Sequence, residues 1–247
     1  MLSLSLLSYS LVDLISLVIV IIGILVQARI GIGFALLCAP ILFIIDENYM
    51  PGPILILGFS LSLLVFIVEK QPFSLRIVLP ALVARFPGSW CGVLVLAYLP
   101  QWLLGMLIAT SLLFASGLSL FNMNVPLSKR NLFYGGFFSG FSGTITSIGG
   151  PVMALIYQNQ APAVTRQALI TFFLIGTPIS IALLMIAGEI SPESYALSLK
   201  MLPGVLIGYA LSRYRLFSLI LPTKKSIVFL SAFSAMIIFV KSLLLLL

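Results

Sequence analysis

A chain of 247 residues that is 61% hydrophobic, only 8% charged and has a mean hydropathy of +1.25 lacks the polar surface of a soluble domain, where about a quarter of residues are charged. Its formal net charge of +7 resides in short connections between apolar runs, with no basic patch interleaved with aromatics, so it reads as a topology signal and not as a nucleic-acid footprint. The chain has no histidine, which removes histidine metal sites, general bases and proton relays, and Cys38 and Cys91 lie in apolar stretches as small hydrophobes without disulfide or metal spacing.

Apolar runs punctuated by glycine, proline and charge predict ten segments, at 9–28, 33–45, 53–69, 76–98, 101–121, 131–147, 150–158, 167–187, 194–212 and 225–246. The first basic residue is Arg29, so the N-terminus lacks the positive start of a cleaved signal, and positions 11–28 read as a retained membrane helix. Segments 33–45 and 150–158 are too short to span a bilayer at about 1.5 Å per residue. Each follows a glycine-bearing break, Gly31 to Gly33 in one case and Gly143 to Gly150 in the other. Each pair is therefore expected to form a hairpin with a short or re-entrant second arm.

A shift of 116 positions places Ile32-Gly33 on Ile148-Gly149, Pro87-Gly88 on Pro203-Gly204, and Gly92 on Gly208. The halves read as repeats, 1–123 and 124–247, and Gly/Pro-interrupted segments at matching places in two halves point toward a transporter's binding site. With the connection 70–76 in the cytoplasm, the count of crossings puts Lys129, Arg130, Arg166, Arg213, Arg215, Lys224 and Lys225 on that same side. It puts Asp46, Glu47, Glu189, Glu193 and both termini outside, as the positive-inside rule asks. Tyr98 and Trp102 flank the outer turn at Pro100 like part of an aromatic belt. The first half then starts outside and the second inside. Inverted repeats of this kind suit alternating access around a central site.

The strongest local pattern runs from Ser139 to Pro151, Ser-Gly-Phe-Ser-Gly-Thr-Ile-Thr-Ser-Ile-Gly-Gly-Pro. A glycine break leaves free N–H groups, and a helix starting near Pro151 adds a positive dipole end, which together make an anion site without a charged side chain. Close helix packing through small residues explains the same composition, and the two readings are compatible. The pattern resembles the second-repeat motif of the sulfite exporter TauE/SafE family, also called the toluene sulfonate uptake permease family. The resemblance rests on Ser139-Gly140, Gly143, Thr146, Ile148-Gly149-Gly150-Pro151, Pro162 and Arg166. In the first repeat Gly31, Gly33 and Pro40 stand where that family has a longer glycine run, and Phe34 and Ala35 depart from it. The resemblance implies transport of small sulfur-containing or related organic anions across a bacterial plasma membrane.

Charge within the spans is the second signal. Arg85 lies about 14 Å into its segment and two residues before Pro87-Gly88; Lys200 lies three before Pro203-Gly204. A charge at a helix centre costs at least about 2.5–3.5 kcal/mol on insertion scales, so each is expected to face a polar interior and attract an anion. Snorkelling to an interface is the alternative, stronger for Lys200. Arg29 and Arg166 are explained by topology alone. Asp13, Asp46, Glu47, Glu69, Glu189 and Glu193 fall near segment ends, which leaves no mid-span carboxylate for a coupled proton.

The resulting expectation is an all-α polytopic membrane protein with two inverted repeats and broken glycine-rich helices. Its function is that of a transporter for a small anion, by export, with a channel or an importer of the same solutes as alternatives. The candidate binding residues are Arg85, Lys200, Gly31, Gly33, Gly143, Thr146, Ser147, Gly149, Gly150 and Pro151, with Pro87, Gly88, Pro203 and Gly204 as hinges. No catalytic set, cofactor or metal is expected; the expected partners are a small anion and the bilayer, with no nucleic acid and the oligomeric state left open.

Overall fold

The computed structural model describes residues 9–31, 33–70, 75–120, 125–214 and 224–244. In lipid every backbone polar group must be satisfied internally, and the described chain is accordingly helical throughout. In order it forms α1 (Leu11–Ile30), α2 (Phe34–Ile45), a 3-10 turn (Glu47–Tyr49), α3 (Gly52–Glu69) and α4 (Leu75–Leu96). It continues with α5 (Gln101–Leu120), α6 (Lys129–Thr146), α7 (Gly150–Tyr157), α8 (Pro162–Ile186), α9 (Pro192–Ser212) and α10 (Lys224–Leu244). Among the described residues, five spans are long and apolar enough to cross a bilayer: Leu11–Arg29, Glu47–Glu69, Leu75–Leu96, Pro162–Ile186 and Pro192–Ser212. This is a multi-pass membrane protein.

The ten helices coincide with the ten expected segments to within a few residues at most ends. α2 and α7, with 12 and 8 residues, are the short second arms of the two hairpins and reach only about 18 and 12 Å. The clearest difference is the start of α8. It begins at Pro162, where a fixed φ and a missing N–H suit the first helical turn, so Arg166 is the fifth residue of the helix and not part of a connecting loop. Ile32 and Arg215 lie outside the described residues.

Side chains sort in the way lipid as solvent requires. On α4, Leu79, Val83, Phe86, Trp90 and Leu94 are each about half exposed and form one apolar stripe toward the membrane. The opposite face buries Ala81, Arg85, Gly88, Ser89 and Gly92. Small residues matter here because no hydrophobic force joins helices in lipid, and close backbone approach supplies the packing instead. A methyl at Gly140 would lie 2.5 Å from the Arg85 carbonyl oxygen, and one at Gly208 2.6 Å from that of Ile21. Pro87-Gly88 and Pro203-Gly204 do not interrupt their helices: α4 and α9 run through them. Gly88 is pressed against the Phe137 backbone and Gly204 against Leu17.

These contacts also fix direction. Ala81 meets Gly136 and Arg85 meets Gly140, so α4 and α6 are parallel; Leu17 meets Gly204 and Ile21 meets Gly208, so α1 and α9 are parallel. Arg29 at the end of α1 donates to the Ser212 carbonyl at the end of α9, and Glu69 at the end of α3 pairs with Arg166 at the start of α8. Tyr157, ending α7, donates to the Ile77 carbonyl at the start of α4 (2.7 Å) and accepts at its own carbonyl from Thr165 of α8 (2.8 Å). The end of the bundle where α1 finishes is thus the end where α6 begins.

Candidate anion-binding site

Arg85 is the eleventh of the 22 residues of α4, about 15 Å along the helix, and only 1% exposed. Its guanidinium carbon lies 4.7 Å from the centre of the Phe172 ring and 5.7 Å from that of Phe173, favourable positions for a desolvated cation. The side chain crosses α8 over Gly176, where a methyl would sit 2.5 Å from Nε and closer still to Cδ. Nη2 donates weakly to Ser180 Oγ at 3.4 Å. That hydroxyl also accepts from Thr144 Oγ1 and bonds Ser89 Oγ, both at 3.0 Å. Nε and Nη1 have no hydrogen-bond partner among the described residues. A buried guanidinium with two nitrogens unsatisfied is costly, and nothing in the hydroxyl cluster carries a negative charge.

Arg85 borders a cavity of about 60 Å³ formed where both hairpins break. α1 ends at Gly31 (φ +88°), and Gly33 (φ +134°) starts α2 with no side-chain cap of its own. Both φ values need glycine. Gln27 turns back to accept from the Phe34 N–H (3.1 Å). In the second hairpin α6 ends at Ser147 in the left-handed region (φ +59°), whose hydroxyl donates to the Pro51 carbonyl (2.8 Å). Ser139 holds the break by donating to the Gly149 carbonyl (2.8 Å), and α7 starts from Gly149 without a side-chain cap. The positive ends of α2 and α7 therefore meet beside Arg85, an arrangement that suits an anion. No carboxylate lines the cavity among the described residues.

A family model described as sulfite exporter TauE/SafE matches residues 15–242. The chain belongs to the TauE/SafE family. No curated protein and no solved structure matches it. Membership, together with the spans, makes this TauE/SafE protein a membrane transporter.

Of the residues singled out from sequence, Arg85, Gly31, Gly33, Gly143, Ser147, Gly149, Gly150 and Pro151 all border this one cavity in the TauE/SafE fold. Thr146 turns its hydroxyl to the Ser142 carbonyl of its own helix (2.8 Å). Lys200 is placed elsewhere: its Nζ pairs with Asp13 at 3.0 Å across the α1–α9 interface. Asp13 is itself the third residue of α1 and closes a capping box with Ser10. Arg85 and Lys200 occupy nearly equivalent chain positions, but Lys200 faces a helix that carries a carboxylate and Arg85 one that carries glycines. Sequence reasoning missed Phe172, Phe173, Gly176, Ser180, Ser89 and Gln27. Hydroxyls and a glycine inside apolar helices are common packing residues, so nothing local marked these as Arg85's neighbours.

Proposed function

We propose that this protein exports small sulfur oxyanions of the sulfite type across a bacterial inner membrane, with its arginine-bearing end in the cytoplasm. The solute is held at Arg85 between the N-termini of α2 and α7. The unsatisfied, buried guanidinium of Arg85 carries the reading. An oxyanion can accept in two bonds at one edge of the planar guanidinium, Nε with Nη2 or Nη1 with Nη2, drawing Nη2 from its long contact with Ser180. It can also accept from N–H groups in the first turns of α2 and α7 other than that of Phe34, which Gln27 holds.

Alternating access of two inverted halves, 1–123 and 124–247, is the mechanism this arrangement favours. In support, exchanging α1–α5 for α6–α10 maps the principal contacts onto one another: α4 with α6 becomes α9 with α1, α4 with α8 becomes α9 with α3, and α3–α8 and α5–α10 map onto themselves. The opposite directions of α1 and α6 accord with this. Export needs no coupled ion, because a potential negative inside favours anion exit by about 2.3 kcal/mol per charge per 100 mV.

The test is sulfite efflux from proteoliposomes. Arg85→Gln should raise the KM about tenfold or more or abolish flux while leaving insertion intact, and Arg85→Lys should recover only part of it. Unchanged flux in Arg85→Gln overturns the assignment.

A further inference from the structure

We infer that Arg166, at the start of α8, is a second anion site that Glu69 keeps occupied, and that the solute passes through it on the way to Arg85. The inference rests on the reading of Arg85 as the solute's central site. Arg166 grips both oxygens of the Glu69 carboxylate, Nη1 on Oε2 and Nη2 on Oε1 (2.8 Å). A fork that holds a carboxylate in two bonds presents the same donors to a sulfur oxyanion. Glu69 is therefore a tethered stand-in for the solute.

Position supports this role. Arg166, Gln27, Gly31, Ser62 and Phe173 line a small cavity of about 20 Å³, and it shares Gln27, Gly31 and Phe173 with the cavity at Arg85. The Phe173 ring lies under the Arg85 guanidinium, and Phe173 also lines the Arg166 cavity, so one residue borders both places. The small volume admits little more than a water, so an anion at Arg166 takes the place that the carboxylate now holds on the guanidinium.

Electrostatics favour the exchange. Glu69 is the last residue of α3, at the negative end of that helix, and Arg166 is the fifth residue of α8, just past its first turn. Glu69 thus sits at the end of α3 that disfavours its charge. Arg213 lies 3.6 Å from Glu69, and Arg29 is tied to the Ser212 and Tyr214 carbonyls nearby, so the mouth is positive overall and draws anions in.

Sodium sulfite titrated against purified full-length protein, read by thermal shift, tests the assignment. Arg85→Gln should retain weak sulfite binding. Adding Glu69→Gln should tighten it at least fivefold, and adding Arg166→Gln to that pair should abolish it. Tyr209→Phe, which removes only a hydroxyl donating to Glu69 at 3.3 Å, should tighten binding by a smaller factor and guards against misfolding of the Glu69 variant. Loss of all sulfite binding in Arg85→Gln, or unchanged affinity in both the Glu69 and Tyr209 variants, overturns the second site and leaves Arg85 standing. Arg85→Gln with wild-type affinity that Arg166→Gln abolishes overturns the Arg85 assignment and keeps Arg166 as a site. Absence of sulfite binding to the wild type overturns both.

Discussion

Gly176→Ala perturbs Arg85 without touching it chemically. The added methyl would lie 2.5 Å from Nε, where ordinary contact begins at 3.4 Å, so the guanidinium must shift by about 1 Å. Its three nearest atoms belong to Arg85, whose guanidinium is seated over Phe172 and Phe173 at the edge of the cavity. The shift breaks the 3.4 Å contact with Ser180 and moves the fork off the helix N-termini. Overpacking of a tight interior costs about 1–3 kcal/mol, which as lost solute binding corresponds to roughly a fivefold to hundredfold rise in KM. The assay is sulfite efflux from proteoliposomes, with thermal unfolding in detergent measured beside it. The double variant Arg85→Ala/Gly176→Ala should unfold at the temperature of Arg85→Ala alone, because the clash disappears with the side chain. An unchanged KM in Gly176→Ala, or an equal loss of stability with and without the Arg85 side chain, would refute the reasoning.

Three further outcomes follow from the same geometry. Gly136→Ala, which drives a methyl into the Ala81 backbone, should separate α4 from α6 and cut the yield of monodisperse protein, whereas Gly150→Ala, with its nearest neighbour at 3.6 Å, should leave yield and melting temperature unchanged. Lys200→Met leaves the Asp13 carboxylate unpaired in a largely buried interface and should lower stability by up to about 3 kcal/mol. Lys200→Met/Asp13→Leu should restore stability with sulfite KM near wild type, and a raised KM in that double variant would return Lys200 to the transport path. Cysteines placed at Lys129 and Arg213 should react with an impermeant thiol reagent only from the cytoplasmic face, and one at Glu189 only from outside; the reverse pattern would invert the orientation proposed for the bundle.

Much of this was legible in one dimension because the bilayer punishes local errors. An unsatisfied peptide group in hydrocarbon costs several kcal/mol, so each apolar run must become a helix wherever it packs, and all ten segments did. The breaks were equally local: a φ of +88° at Gly31 and +134° at Gly33 is a property of glycine. α8 starts five residues before the expected 167 because the apolar run begins there, whereas the helix itself can begin on a proline, which is at home in a first helical turn.

The order of residues dictates the helical, membrane-spanning class, the two broken hairpins and the presence of two costly charges inside spans. Only tertiary structure decided what became of those charges. Lys200 meets Asp13, 187 positions away, and is neutralised; Arg85 meets Phe172, Phe173 and a hydroxyl cluster, and among the described residues its charge has no acidic partner at the cavity. Arg166, which topology alone explained, proved to face Glu69 across 97 positions. Helix formation is governed by neighbours in sequence and by the solvent, so it can be read along the chain. The fate of a buried charge is governed by which face of which distant helix lies opposite, and that follows only from the packing of the whole bundle.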